Sequence, residues 1–166
     1  MNDTYVECLV KVEPKAYKKF FKYLLIILTA IIGLLSLATG ILIGFILAIV
    51  LGVIAYFVSL NTDIEYEYLY VDRQITVDKI MLKSKRKRVG VYDVDKIEAM
   101  GPINSYQLDN FKNRQTKNKD FSCGVEKKPD HRYAVYYEGQ EKLIIEPSPE
   151  FFKAIYNIAP RKVFTN

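Results

Sequence analysis

The stretch YLLIILTAIIGLLSLATGILIGFILAIVLGVIAYFVSLNT, residues 23–62, has forty consecutive positions without a charged side chain. A helix of about 20 apolar residues crosses a hydrocarbon core about 30 Å thick. One helix over the whole stretch would be about 60 Å long, at about 1.5 Å per residue, which is twice the thickness of that core. The stretch therefore predicts two membrane-spanning helices, over about residues 20–37 and 41–60, joined at the small residues around 36–40.

Three alternatives to this two-span hairpin are weaker. A buried hairpin in a soluble protein is disfavoured, because a chain of 166 residues cannot cover both helices on all sides. A cleaved signal peptide is disfavoured, because the preceding segment is long and partly acidic and a second full apolar stretch follows Ser36 and Ala38. One long tilted span would require an unusually large tilt.

Flanking charge predicts the orientation of the two spans. Five lysines precede the first span and none lies between the spans; they are Lys11, Lys15, Lys18, Lys19 and Lys22. Lysine and arginine near a span favour the cytoplasmic side, whereas acidic residues have little effect. Since two spans return the chain to its starting side, we expect residues 1–22 and residues 63–166 both to be cytoplasmic.

Small residues mark one face of the predicted hairpin. Gly40, Gly44, Ala48 and Gly52 repeat every four residues, and Gly33 lies on the first span. Such a face allows a second backbone to approach closely. We expect it to pack the hairpin against itself, and a homodimer through the same face is the alternative. The stretch 23–62 contains no acidic, basic or histidine residue, which argues against a proton relay or a gating charge.

Residues 1–22 contain a short alternation of apolar and mixed residues, Tyr5 to Val12, which Pro14 ends. Aromatic and lysine residues follow it, as is typical of the membrane interface. We interpret this segment as an interfacial anchor. A strand added to the sheet of the later domain is the alternative.

Residues 63–166 have the size and pattern of one small, mainly β domain. Alternating residues predict strands over 64–71, 75–82, 86–94, 133–137 and 142–146, with a further strand or turn beginning at 96–99. Residues 101–131 are polar and predict irregular structure with a short helix near 104–111. Ser148 and Pro149 are typical of the start of a helix, and Pro160 ends it.

This order of elements resembles the pleckstrin-homology-like (PH-like) domain of small bacterial membrane proteins of unknown function. The resemblance lies in IEYEYLYVDRQITVDKIMLKSKRKRV, Ile64–Val89, and YYEGQEKLIIEPSPEFFKAI, Tyr136–Ile155. It implies a β-meander or partly open barrel with a C-terminal helix, beside a transmembrane hairpin in the bacterial cell membrane. The long polar stretch 101–131 departs from a compact version of that fold.

A basic run follows the second predicted strand of this domain. Its candidate lipid-headgroup ligands are Lys79, Lys83, Lys85, Arg86, Lys87 and Arg88. The first strand leaves the membrane and the second is of similar length, so the run should return to the bilayer surface. Lysine and arginine there gain about 1 kcal/mol each from anionic lipids. A solvated edge strand protected from aggregation by its charge is the alternative.

The sequence offers little support for catalysis, metal binding or nucleotide binding. The only histidine, His131, could form a catalytic pair with Cys123 only if a polar pocket joined them. Cys8 and Cys123 would be reduced in the cytoplasm. No metal-spaced cysteine and histidine cluster and no glycine-rich phosphate loop is present in the sequence. We expect no catalytic residues, no metal and no cofactor.

The partners follow from the same features. A modest net charge of +5 and a basic run without interleaved aromatic residues argue against nucleic acid. We expect the bilayer as a partner, and another membrane protein or a second copy as further candidates. The sequence thus predicts a non-enzymatic, membrane-anchored binding or scaffold module. An accessory subunit of a membrane transporter or secretion complex is the alternative.

Overall fold

The computed structural model describes residues 5–165, which divide into two compact units. Residues 14–64 and 81–85 form the hairpin unit. The β unit contains the residues up to Glu13, residues 65–80 and the chain from Arg86 onwards. The residues 81–85, which the sequence assigned to the domain over 63–166, therefore belong to the hairpin unit.

Two helices, α1 (Ala16–Thr39) and α2 (Leu42–Thr62), make up most of the hairpin unit. Each begins or ends a few residues away from the predicted bounds of 20–37 and 41–60. Both are long and apolar enough to cross a membrane. Lys22 near the start of α1 forms an ion pair with Asp63 at the end of α2, so the start of one helix is attached to the end of the other.

Small residues lie where α1 and α2 approach each other. A methyl group on Gly44 would overlap Ser36 Oγ and come within 3.1 Å of Ser36 Cβ. The equivalent methyl on Gly33 would lie 4.0 Å from Ala48, and that on Gly52 would lie 3.6 Å from Thr29. Because close helix approach requires such residues, Gly33, Gly44 and Ala48 serve packing within the hairpin. Gly52 differs from them, because its position leaves room for a methyl group beside Thr29.

Gly40 does not share this role, and its placement on the packing face of the second span is wrong. It ends α1 with a left-handed φ of 69° and donates its N–H to the Ser36 carbonyl at 2.9 Å. Nothing lies within 4 Å of the position of its missing Cβ. Glycine is favoured here because other residues adopt this conformation at a steric cost.

The described residues contain eight strands, two shorter α-helices and two single-turn 3-10 helices besides the hairpin. The strands are β1 (Val6–Lys11), β2 (Ile64–Val71), β3 (Gln74–Met81), β4 (Lys85–Asp93), β5 (Ile97–Pro102), β6 (Lys117–Asp120), β7 (Tyr133–Tyr137) and β8 (Glu141–Ile145). The helices are α3 (Asp109–Lys112) and α4 (Pro149–Ile158). One sheet has the order β1-β2-β3-β4 and the other β5-β7-β8-β6. The sheets do not close into a barrel, and the prediction of a mainly β domain with a C-terminal helix is confirmed.

The N-terminal segment contributes a strand to this domain. β1 pairs antiparallel with β2, from Val6 opposite Tyr70 to Lys11 opposite Glu65. Cys8 and Val10 are buried, whereas Glu7 and Leu9 are exposed. The interpretation of residues 1–22 as an interfacial anchor is therefore wrong for residues 6–11, because burying alternate side chains stabilises a strand there. The alternative strand is correct.

The polar stretch 101–131 is more regular than predicted. β6 lies within it and pairs in parallel with β8, from Lys117 opposite Glu141 to Asp120 opposite Ile144. Lys119 Nζ lies 2.8 Å from the Glu141 carboxylate. The sequence KNKD has little intrinsic preference for a strand, so the neighbouring strand determines its conformation.

Helix α4 packs on the core of the β unit. Ser148 Oγ accepts a hydrogen bond from the Phe151 N–H at 3.2 Å, as expected for an N-cap. Phe151 is fully buried, with its ring centroid 5.8 Å from that of Tyr68 and 6.4 Å from that of Tyr70. The Tyr68 hydroxyl donates to the Phe121 carbonyl, so the buried polar atom of this ring is satisfied.

Candidate functional site

The basic run begins in the turn between β3 and β4. Leu82 and Lys83 have positive φ angles of 50° and 56°, the conformation of a tight two-residue hairpin turn. The Leu82 N–H donates to the Asp63 carbonyl at 2.9 Å. This bond attaches the turn to the residue that follows α2.

Two lysines of this basic turn, defined as residues 82–85, face solvent. Lys83 and Lys85 are exposed, and Lys85 Nζ lies 5.1 Å from the centroid of the Tyr56 ring on α2. That distance is typical of a cation–π contact. Neither lysine forms an ion pair with any residue in the described part of the chain. Their charges therefore remain available to an anion.

Arg86 and Arg88 are placed differently from the lysines. Arg86 Nη2 lies 2.8 Å from the Glu67 carboxylate, and Arg88 Nε lies 3.5 Å from Asp78 Oδ1. The Glu67 and Asp78 side chains are only 4% and 5% exposed. Because a buried carboxylate without a counter-charge is costly, the two arginines neutralise these acids in the sheet. Arg86 and Arg88 thus differ from the lysines in having carboxylate partners, and their role as headgroup ligands stays a prediction.

The electrostatics of Glu67 show how strongly it depends on Arg86. Burial raises the pKa of Glu67 above its usual range, and the Arg86 guanidinium opposes that rise. The carboxylate of Glu7 on the neighbouring strand raises the pKa further. The charged form of Glu67 is therefore maintained mainly by the guanidinium.

The remaining predicted ligands lie on the strands beside the turn. Lys79 on β3 is half-buried and Lys87 on β4 is exposed. Within residues 5–165, neither forms an ion pair. The structure thus separates the six predicted ligands into four lysines without acidic partners in that range and two arginines that bind carboxylates. Sequence reasoning missed Glu67 on β2 and Asp78 on β3, two strands of the same sheet as the basic run.

A second feature of the β unit is a cleft of about 750 Å³, here called the thiol cleft. Its wall includes Cys8, Cys123, His131 and Glu146, and residues of β1 and the start of α4. The structure therefore brings together the cysteine and the histidine that an enzyme would have to combine. Whether either thiol can act as a nucleophile depends on its hydrogen bonds and on its pKa.

The surroundings of Cys123 in the thiol cleft do not activate it as a nucleophile. Cys123 Sγ donates to the Val125 carbonyl at 3.2 Å, and Cys8 Sγ donates to the Glu146 carbonyl at 3.7 Å. Burial raises the pKa of the Cys123 thiol, whereas a nucleophilic cysteine needs a lowered pKa. Among residues 5–165, no group of three or more histidine, cysteine or acidic side chains is arranged to hold a metal ion.

Comparison with known proteins places nearly the whole chain in one family. A family model described as bacterial PH-like domain (DUF6106) matches residues 2–165. No curated protein and no solved structure matches the chain. The match includes both apolar helices and the β1 strand, so the hairpin and the β unit together correspond to the family.

Proposed function

We propose that the chain, which belongs to the bacterial PH-like domain family, is a non-enzymatic, membrane-anchored binding module that contacts anionic lipid headgroups. One observation carries the proposal. Lys83 and Lys85, which have no acidic partner within residues 5–165, lie on a turn that is hydrogen-bonded to the residue after an apolar helix. Lysines next to an anionic leaflet gain about 1 kcal/mol each, so this turn is suited to binding phosphate groups.

Exposure of the hairpin supports its insertion in the bacterial cell membrane. Only 6% of the apolar window of α1 and 17% of that of α2 is buried within the chain. Leu42 and Ile43 are 75% and 77% exposed. Exposed apolar surface of this extent is unfavourable in water and favourable in lipid, which supports two spans rather than a soluble core.

The surroundings of Cys123 support the non-enzymatic part of the proposal. Nucleophilic catalysis by Cys123 would require a thiolate, whereas burial raises the pKa of this thiol and its sulfur donates to the Val125 carbonyl. A scaffold role, in which the β unit holds another protein at the membrane, uses the same anchor.

Both ends of the chain are expected in the cytoplasm, since the lysines before α1 favour that side. Reporter fusions that are active on only one side of the membrane, placed after Thr165 and before Tyr5, measure this. Both fusions should report the cytoplasm. One internal and one external end would rule out a two-span hairpin.

Anionic phospholipid should stabilise the purified full-length chain in a neutral detergent. Phosphatidylglycerol should raise the unfolding temperature more than phosphatidylcholine, because a ligand stabilises the state that binds it. Replacing Lys83, Lys85 and Lys87 with glutamine should weaken phosphatidylglycerol binding by up to about 100-fold, at about 1 kcal/mol per lysine. Salt at 1 M should have a similar effect, because the Debye length falls to about 3 Å.

A matched variant separates a site from diffuse charge. Lys117, Lys128 and Lys153 are equally exposed but lie elsewhere on the β unit. Their replacement with glutamine removes the same charge and should leave the lipid response unchanged. Equal loss of response in the two triple variants would show that overall charge, and not the basic turn, attracts the lipid.

A further inference from the structure

An apolar groove in the hairpin unit lies beside the basic turn. Its volume is about 380 Å³, and its wall is formed by Ile26 and Thr29 of α1, Gly52, Tyr56 and Ser59 of α2, and Leu82 of the turn. Gly52 contributes no side chain to the groove that it lines. From Ser59 to Gly52 the groove extends about 10 Å along α2, at about 1.5 Å per residue.

The two hydroxyl groups in this wall do not make the groove polar. Thr29 Oγ1 donates to the Leu25 carbonyl at 2.7 Å, and Ser59 Oγ donates to the Ala55 carbonyl at 2.8 Å. Each hydroxyl is therefore satisfied within its own helix. The surface left for a ligand consists of methyl and methylene groups and one side of an aromatic ring.

The charge beside the groove is strongly positive. The hairpin unit contains six lysines and one acidic residue, Asp63, and Asp63 is paired with Lys22. Lys85 is in contact with the ring of Tyr56, and Tyr56 also lines the groove. The basic turn and the apolar groove therefore meet at Tyr56. An anionic lipid has a matching arrangement, with a charged headgroup joined to an apolar tail.

We propose that the groove and the lysines of the basic turn bind one anionic phospholipid. Its phosphate lies at Lys83 and Lys85, and one acyl chain lies along Gly52. This inference rests on the proposed function, because it requires the hairpin to be in a bilayer, and it names the ligand. A second hairpin fits less well, since Gly33, Gly44 and Ala48 already pack within the hairpin.

The test uses the full-length chain in neutral detergent and native mass spectrometry to count retained lipids. The probes are phosphatidylglycerol and phosphatidylcholine with the same acyl chains. The unmodified chain should retain one phosphatidylglycerol and prefer it over phosphatidylcholine at least tenfold. Gly52→Leu fills the groove and should weaken phosphatidylglycerol binding at least tenfold. Ala30→Leu adds a similar volume at an exposed position of α1 outside the groove and should have no effect.

The lysine variant Lys83→Gln/Lys85→Gln separates the two levels of the proposal. It should lose the preference for phosphatidylglycerol. If it does so while Gly52→Leu binds like the unmodified chain, the headgroup contact is supported and the groove is overturned. If neither variant changes binding, the groove and the proposed function both fail. A dimer that Gly52→Leu dissociates would show that a second copy, not a lipid, occupies the groove.

A measurement on the unmodified chain covers the case in which Gly52→Leu does not fold. Phosphatidylglycerol with a photoreactive diazirine in the middle of one acyl chain should crosslink to groove residues such as Thr29 and Tyr56. Excess phosphatidylglycerol without the diazirine should compete, and phosphatidylcholine should compete at least tenfold less well. Crosslinks spread evenly around both helices would overturn the inference.

Discussion

Gly44→Ala should lower the stability of the hairpin by about 1–3 kcal/mol, the usual cost of overpacking. The added methyl group would overlap Ser36 Oγ and lie 3.1 Å from Ser36 Cβ. Ser36 is 4% exposed, and its hydroxyl donates to the Ile32 carbonyl at 2.7 Å. Because this side chain is short and already held, it cannot move away without losing a hydrogen bond or separating the helices.

Gly52→Ala is the matched control for Gly44→Ala. Its methyl group would lie at an ordinary 3.6 Å from Thr29, so the higher helix preference of alanine should stabilise α2 by roughly 0.5–1 kcal/mol. The same chemical change is thus expected to have opposite signs at two positions of one helix. Unfolding of the purified chain by titration with a denaturing detergent measures both.

Moving the glycine from position 44 to position 36 should restore the stability of the hairpin. In Ser36→Gly/Gly44→Ala the methyl group regains its space, so most of the lost stability should return. Failure of the double variant to recover would mean that Gly44 acts elsewhere than against Ser36. Loss of a dimer in Gly44→Ala without loss of stability would instead support the homodimer alternative.

Arg86→Gln should destabilise the β unit by about 1–3 kcal/mol, the cost of leaving a buried polar partner unsatisfied. The variant removes the guanidinium 2.8 Å from the buried Glu67 carboxylate. Lys87→Gln, at the next position of the same strand, removes an equal charge without breaking an ion pair and should change stability by less than about 0.5 kcal/mol. Hydrogen exchange of the β-unit amides in the full-length chain measures both effects.

The stability of the Arg86→Gln variant should depend on pH in one direction. Burial raises the pKa of Glu67, and the guanidinium that opposes this is lost in the variant. The folded variant therefore binds a proton at a higher pH than its unfolded chain does, so its stability should increase as the pH falls towards the ordinary pKa of glutamate. The difference in the free energy of unfolding between Arg86→Gln and the unmodified chain should therefore become smaller as the pH falls over that range.

Glu67→Gln in the Arg86→Gln background tests the cause. With the Glu67 carboxylate removed and only Asp78, 4.0 Å from Arg86 in the unmodified chain, still buried nearby, the double variant should recover part of the stability and lose the pH dependence that Glu67 causes. An unchanged pH dependence would show that another group titrates. A similar loss of stability in Lys87→Gln would show that the strand needs charge in general and not this ion pair.

Local patterns determined much of this protein. An uncharged stretch of forty residues predicted two apolar helices, because a single helix of that length would be about twice as long as a hydrocarbon core is thick. Period-two alternation predicted β2 with the bounds observed, Ile64–Val71. Ser148 and Pro149 marked the start of α4, because a cap depends on the residues beside it.

Tertiary structure decided what depends on residues distant in sequence. Pairing with β2 made residues 6–11 a strand, although the sequence alone left a strand and an interfacial segment both open. Pairing with β8 likewise made the polar residues 117–120 a strand, β6. The repeat of small residues had predicted that Gly40 lies on the packing face. The left-handed conformation at the end of α1 places it outside that face instead.

The candidate site shows the same division most clearly. The basic composition of residues 83–88 is visible in the sequence, but the similar cations there have two roles. Glu67 and Asp78, which come from two other strands, lie beside Arg86 and Arg88 and are buried there. Local sequence carries the charge of each side chain. Whether that charge is neutralised or available depends on which distant carboxylates the sheet brings within a few ångströms, because Coulomb interactions weaken with distance and with exposure to water.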